Sequence, residues 1–536
     1  MDQTFRAGFR SLLVVGTLLL GLMPAAAQKV QHGAITIYPV AHDVSLPLRD
    51  LARLAPVVEP GTLRTLVPGR RPTQFNAAGV PDTLAQQEHL REVGTSNVLN
   101  FAGLTGTASG GVEPPDTNGS VGTSQFVETV NLSYAVYDKT TGSKLLGPVL
   151  MNTIWSGLTG TLCNSVAGGD PVVLWDKVAQ RWFVSELAYS SSLTQNYLCI
   201  AVSTSSDATG SYNRYSYAIS PITTLPDYPK YAVWPDAYYV SFNAFANSGG
   251  TFAGAEPCAF DRTAMLAGGT AAMVCFTPNA NNYSFLPSDV DGSTQPPTGA
   301  PNHYVELFSG TTLEQFDFHV DFVNTSKSTF TGPKVINVTS WTQICGFTQA
   351  CIPQPSPGEK VDSLGDRLMF RAAYRNYGDH EAIVLTHTVK PGTGSTATAA
   401  VRWYELRATP VGGTFSVFQS GTFQNAKTSL WMGSIAQDKA GDMALGMSAS
   451  SSTVKPSVMY TGRVPTDASG KMESPFTVAK GTGVQTAGGN RWGDYSSMSV
   501  DPTDDCTFWF SEEYYTTTSA ANWATRINSF KFTGCH

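Results

Sequence analysis

Residues 490–515 read Asn-Arg-Trp-Gly-Asp-Tyr-Ser-Ser-Met-Ser-Val-Asp-Pro-Thr-Asp-Asp-Cys-Thr-Phe-Trp-Phe-Ser-Glu-Glu-Tyr-Tyr. The order is a polar approach, a small-residue strand, an Asp-Pro turn, an aromatic strand and an acidic exit. Pro502 suits the second position of a tight turn because its ring fixes φ there. Phe508 and Phe510 alternate with Thr507 and Trp509, which predicts a strand packed on both faces.

The same plan recurs upstream. Hairpins are predicted for residues 114–122 into 126–130, 169–176 into 181–186, 228–236 into 238–241, 303–308 turning at 309–310, 364–370 turning at 377–378 into 381–386, and 431–438 into 443–447. One turn residue from each (Gly122, Asp176, Asp236, Gly310, Gly378, Asp438, Asp501) gives spacings of 54, 60, 74, 68, 60 and 63 residues. Four strands with turns need about 40–50 residues, so each unit is one four-stranded sheet. A lone sheet of that size cannot bury both faces, and radial packing covers both while leaving short edges. The expected fold is all-β: a seven-bladed β-propeller, with six or eight blades left open. A two-sheet sandwich does not explain the spacing, and a β-helix has a much shorter period.

The N-terminus reads as an export leader, residues 1–27. Arg6 and Arg10 precede the apolar run 12–23, and Ala25, Ala26 and Ala27 form a small-residue cleavage site. The run falls short of the about 20 residues that cross a bilayer, so no membrane span is expected after its removal. Residues 28–100, rich in Pro, Leu and Arg with Arg70-Arg71-Pro72 near the middle, are expected to form an N-terminal arm or pro-segment. One short helix is expected at 82–93, capped by Asp82 or Thr83. The propeller is expected to occupy 101–536. The protein is expected to be secreted or periplasmic, and a monomer.

Eight cysteines in an exported chain predict disulfides. Local pairing gives Cys163 with Cys199, Cys258 with Cys275, Cys345 with Cys351 and Cys506 with Cys535, although spacing alone permits other pairings. The formal charge is -7, with Lys and Arg scattered rather than clustered. That balance argues against nucleic-acid or anionic-membrane partners.

The motifs Pro-Pro-Asp-Thr-Asn-Gly (114–119), Gly-Asp-Pro (169–171), Tyr-Pro-Lys (228–230), Trp-Pro-Asp-Ala-Tyr-Tyr (234–239), Tyr-Arg-Asn-Tyr-Gly-Asp-His-Glu (374–381) and Arg-Trp-Gly-Asp-Tyr-Ser (491–496) resemble those of a group of exported bacterial proteins. That group has no settled activity and is loosely akin to sialidase-like propellers. The resemblance implies fold and export rather than a reaction. The sialidase Asp-box is approached only by Ser434, Asp438 and Gly441.

In a propeller, residues just before the innermost strands converge on one end of the central channel. That ring is expected to gather Asp116, Asn118, Asp170, Lys230, Asp362, Arg367, Trp431, Arg491, Trp492, Asp494 and Tyr495. Loops on a rigid frame are where binding is normally placed. The leading expectation is therefore a polysaccharide, glycan or similar polar polymer bound at the channel mouth. The first alternative is a glycoside hydrolase or lyase using Asp116, Asp170 and Asp494, with Trp492 and Tyr495 stacking on sugar. The second is a surface adhesion or protein-interaction scaffold. No cofactor is expected apart from calcium, for which Asp289 and Asp291 place oxygen ligands at alternate positions.

Overall fold

The computed structural model describes residues 29–31, 33–55, 64–65, 79–219, 224–346, 348, 350–394 and 398–536. The expected leader and Arg70-Arg71-Pro72 lie outside them.

The decisive hairpin forms as read. Strands Ser497–Val500 and Phe508–Tyr514 pair antiparallel, Ser497 opposite Ser511 and Val500 opposite Phe508. Phe508 and Phe510 join one apolar cluster with Leu445 and Phe530. Trp509, pointing the other way, stacks on Phe126 of the first sheet at 5.1 Å. Each buried aromatic side chain contributes about 1.5–3 kcal/mol. Gly446 is required on the neighbouring sheet, because a Cβ there would enter the Phe510 ring. Both faces of the strand are thus core.

The chain repeats this unit. Asn118–Val121, Gln125–Val130, Ser133–Asp138 and Lys144–Leu150 make a four-stranded antiparallel sheet. Val172–Asp176, Arg181–Tyr189, Asn196–Ser203 and Tyr212–Ala218 make the next. It is followed by Leu225–Val233, Ala237–Phe245, Thr251–Asp261 and Met273–Cys275. A nine-stranded sheet comes next, in which Leu286–Asp291 and Ala372–Asn376 pair in parallel. Ser429–Gln437 through Phe476–Ala479 form a further antiparallel sheet, and Ser497–Val500 opens the last. The first strand of each unit lies beside the first strand of the next, and Ser497–Val500 lies back beside Asn118–Val121. The sheets surround one axis, as in a β-propeller.

Two hairpins are corrected: residues 364–370 form no strand, and Ala372–Asn376 pairs with Glu381–Val389 in their place. The turn at Ser309-Gly310 joins Asn302–Ser309 to Thr312–His319, the second and third strands of its unit rather than the first and second. The first strand is Leu286–Asp291, whose Pro287, Asp289 and Asp291 carry a loop-like composition.

The N-terminal segment runs outside the sheets. Lys29–Gln31 pairs with Thr329–Asn337, Ile35–Ile37 with Met273–Cys275, and Ala41–Val44 with Tyr212–Ala218. Helix Leu48–Leu54 buries Leu48 and Leu51 in the cluster of Trp155 and Trp182. Beyond residue 79 the segment resumes along other sheets: Val80 N–H donates to Thr342 Oγ1 at 2.8 Å, Ala85 bridges to Thr422, and Glu92 to Ser474. Strand Thr95–Thr105 then pairs with Ala524–Phe532 as the outer strand of the last sheet.

The helix expected at 82–93 is absent. Asp82 Oδ1 does accept from Leu84 N–H at 2.9 Å as a cap would, but its carboxyl also holds Arg402 at 2.6 Å and Thr422 at 2.7 Å across to another sheet. Gln86 N–H bonds across to the Thr422 carbonyl at 2.9 Å instead of back along its own turn.

All four cysteine pairs form as paired above. Cys506–Cys535 fastens the last sheet, where a ring made from one chain closes. Among the described residues no helix is long and apolar enough to cross a membrane.

Candidate functional site

The segments that enter the innermost strands meet at one end of the axis. Asp116, Asp170 and Ser284 precede these strands, and Tyr228 and Met432 sit at register shifts within theirs, each with φ between 48° and 58°. Left-handed backbone is uncommon outside glycine and persists where the surroundings over-determine it. Here it turns each chain sharply into the channel. The residues share no side-chain chemistry, so the recurrence leaves no pattern in the sequence.

A closed circuit of hydrogen bonds ties four of these segments together. Asp494 N–H donates to Asp116 Oδ1 at 2.7 Å, and Asn131 Nδ2 donates to Asp116 Oδ2 at 2.7 Å. Asp170 N–H donates to Asn131 Oδ1 at 2.8 Å, and Tyr228 N–H to Asp170 Oδ2 at 3.0 Å. Tyr228 Oη donates to the Asp494 carbonyl at 3.2 Å and completes the loop. Arg491 Nη2 holds Asp494 Oδ1 at 2.5 Å. Lys230 Nζ lies between two rings, 3.0 Å from the Tyr228 centroid and 3.4 Å from that of Tyr495. The Arg367 guanidinium lies 4.8 Å from the Tyr228 ring and pairs with Asp366 at 2.8 Å.

This hub is closed to solvent: Asp116 is 1 % exposed, Asp494 2 % and Lys230 1 %. The cover is two zipped segments. Glu359 N–H donates to the Gln485 carbonyl at 2.9 Å, Gln485 N–H to Gln354 Oε1 at 2.9 Å, and Asp362 N–H to the Asn490 carbonyl at 2.9 Å. Ile344, Ile352, Val361 and Leu364 of the first segment share one apolar cluster with Trp431, Trp492 and Tyr228. Cys345–Cys351 staples it.

Burial sets the charge states. It pushes the Asp116 carboxyl well above the usual range, with Asp494 and Asp170 beside it adding to the effect. Asp170 is raised for the same first reason, and then by Asp494. Burial lowers the Lys230 ammonium well below its ordinary value. A second acidic group lies alongside. Glu113 accepts from Gln485 at 3.1 Å and Tyr515 at 3.3 Å, and Glu513 accepts from Gly493 N–H at 2.9 Å. Burial raises both. The hub thus sets acids raised by burial among aromatic rings and two ion pairs, Arg491 with Asp494 and Arg367 with Asp366.

Seven of the expected site residues therefore come together: Asp116, Asp170, Lys230, Arg367, Arg491, Asp494 and Tyr495. Trp431 and Trp492 lie against each other at 5.4 Å, and Trp492 Nε1 donates to Ser448. Asp362 turns the covering segment by accepting from Ser363 N–H at 2.7 Å. Asn118 links the first two inner strands through Val173 N–H at 3.3 Å. Asn131 and Tyr228, both in the circuit, escaped the reading of candidate residues. Tyr228 was quoted in the Tyr-Pro-Lys motif, whereas Asn131 sits in an ordinary hairpin turn.

Asp289 and Asp291 lie farther along the channel. Arg371 reaches both, at 3.2 Å and 2.5 Å, and Lys177 approaches Asp291 at 3.6 Å. Two protein cations thus stand where calcium was expected. A cavity of about 20 Å³ adjoins these groups, room for about one water molecule.

No protein-family model matches the chain, and no curated protein matches it. Among solved structures it is similar to a sialidase of Trypanosoma rangeli at 10% identity and a TM-score of 0.30, covering 68% of this chain and 54% of that one. It is similar to an endo-arabinase of Bacteroides thetaiotaomicron at 12% identity and a TM-score of 0.26, covering 59% and 94%. It is also similar to an α-L-arabinofuranosidase of Fusarium graminearum at 9% identity and a TM-score of 0.34, covering 82% and 99%. The chain spans about half the length of the sialidase it matches. Superpositions of this quality carry no information about substrate.

Proposed function

We propose that this chain is a secreted or periplasmic seven-bladed β-propeller that binds a carbohydrate or similar polar polymer on the face above the hub, without cleaving it. Dividing the nine-stranded sheet at its parallel pair, Leu286–Asp291 beside Ala372–Asn376, supports a count of seven. The described residues between 29 and 105 fit outer strands and a peripheral strap of that propeller. The four disulfides fit an oxidising compartment.

The observation that carries the reading is the closed circuit through Asp116, Asn131, Asp170, Tyr228 and Asp494. It makes the loops of one face a rigid platform, the usual support for a binding surface. It also engages the acids that cleavage would need. A glycosidase keeps its two carboxyls about 5–5.5 Å or 6.5–9.5 Å apart with the sugar between them. Here Asn131 spans the Asp116 carboxyl and the Asp170 backbone, and backbone amides of Asp494 and Tyr228 occupy one oxygen of each carboxyl. The three aspartates are positioning residues in this reading.

A glycan-array screen of the exported form, followed by incubation of each hit and product analysis, tests the proposal. Retention of a glycan with no shortened product is expected. Release of fragments that stops in Asp116→Asn and Asp494→Asn would replace it with the hydrolase or lyase reading. No retained glycan at all would overturn it.

A further inference from the structure

Away from the hub, a cleft of about 520 Å³ opens between the sheet ending at Phe423 and the sheet beginning at Ser429. Phe423, Leu430 and Ala449 are buried in its floor, and Met459 is half-buried. His89, from the peripheral strap, stacks on Phe423 at 4.6 Å and forms one wall. Pro355, from the hub's cover, forms another.

Its charge is one-sided. Lys455 and Lys480 stand exposed on the rim. No Asp or Glu stands among the described residues that line the cleft, although the chain as a whole carries a formal charge of -7. Lys455 is held in place by its bond to the Thr482 carbonyl at 2.5 Å. Asn425, Thr428 and Thr477 add uncharged polar groups beside the apolar floor. Apolar lining with a few convergent polar groups is the usual form of a small-molecule site. Cations on one edge, with no acid opposing them, select an anion by charge complementarity.

We infer that this cleft binds a small amphipathic monoanion, its apolar body against Phe423, Leu430 and Met459 and its acid head toward Lys455 and Lys480. The site borders the hub's cover at Pro355 but does not depend on the polymer binding proposed above.

Two dyes of one shape test it: 1-anilinonaphthalene-8-sulfonate, an anion, and N-phenyl-1-naphthylamine, its neutral counterpart. Fluorescence and calorimetric titrations would be run on the intact protein, on Lys480→Glu and on Thr477→Trp, with near-UV circular dichroism confirming that each variant is folded. The anion is expected to bind one to one and more tightly than the neutral dye. Lys480→Glu should weaken the anion about fivefold, as for a rim-exposed charge pair, and leave the neutral dye unchanged. Thr477→Trp, which narrows the cleft, should weaken both. Absence of saturable anion binding, or anion binding indifferent to Thr477→Trp, overturns the site. Equal response of both dyes to Lys480→Glu overturns the preference for an anion.

Discussion

Asp116 and Asp494 stand 378 positions apart in sequence, and the backbone N–H of the second donates to the side chain of the first at 2.7 Å. The bond joins the segment entering the first sheet to the segment entering the last. Asp116 also accepts from Asn131, so one carboxyl satisfies two buried donors from different segments. Asp116→Ala leaves the Asp494 amide without an acceptor, at about 1–3 kcal/mol, and leaves Asn131 Nδ2 only the Pro114 carbonyl. The expected outcome is a clear loss of stability in urea unfolding. Asp116→Asn, which keeps an acceptor for the Asp494 amide, should lose less.

The strap is held by a buried ion pair. Asp82 and Arg402 meet at 2.6 Å with both side chains fully buried, and Thr422 donates to the other Asp82 oxygen. Removing one partner leaves a buried charge unmatched, at about 3–5 kcal/mol. Asp82→Ala should therefore unfold at markedly lower denaturant. The double variant Asp82→Leu with Arg402→Met should recover much of the loss. Arg91, which bridges the buried Asp467 and Glu473 at 2.6 Å each from a mostly exposed position, should cost less than Asp82 when changed to Ala, because its own guanidinium stays largely in water.

Stability should fall as pH rises above the acidic range. Glu256 is buried on strand Thr251–Asp261, and burial pushes its carboxyl up to about 8. Asp438 is raised to about 7, by burial first and then by Asp442. A raised folded pKa means that the native state holds a proton that the unfolded chain releases above its own value near 4.5. Stability from that group is complete below pH 4.5 and is lost as pH climbs toward 8. Glu113, Glu512 and Glu513, raised well above their ordinary values chiefly by burial, act in the same direction. Thermal unfolding from pH 5 to 8 should show a falling midpoint. Glu256→Gln should flatten the curve, and an unchanged slope in that variant would remove Glu256 as a cause.

Much of the fold was legible because inner hairpins carry their own signals. Trp175 and Trp182, or Phe508 and Phe510, mark strands with two buried faces, and Asp501-Pro502 marks the turn between them. Leu286–Asp291 was misread because a channel strand carries acids for a functional-looking reason of its own, here the pairing with Arg371. The strap was legible as an extended arm but not in its route. Its pairings, such as Ala85 with Thr422, depend on partners hundreds of residues away. The failed helix at 82–93 has the same origin: Asp82 caps Leu84 N–H, but the Gln86 amide that would continue the turn bonds to Thr422 instead.

The candidate site divides along the same line. Convergence of Asp116, Asp170 and Asp494 follows from the ring topology alone. Closure of the hub does not, because it rests on Gln354 meeting Gln485 and Glu359 meeting the same backbone. Those contacts leave no local pattern.

Hydrogen–deuterium exchange over the peptide containing Tyr228 tests the central claim most directly. Its amide donates to Asp170, two bonds round the circuit from Asp116. The amide should exchange slowly in the native protein and measurably faster in Asp116→Ala, although the two positions are distant in sequence. Rapid exchange in the native protein, or exchange unaltered by Asp116→Ala, would contradict a single closed hub.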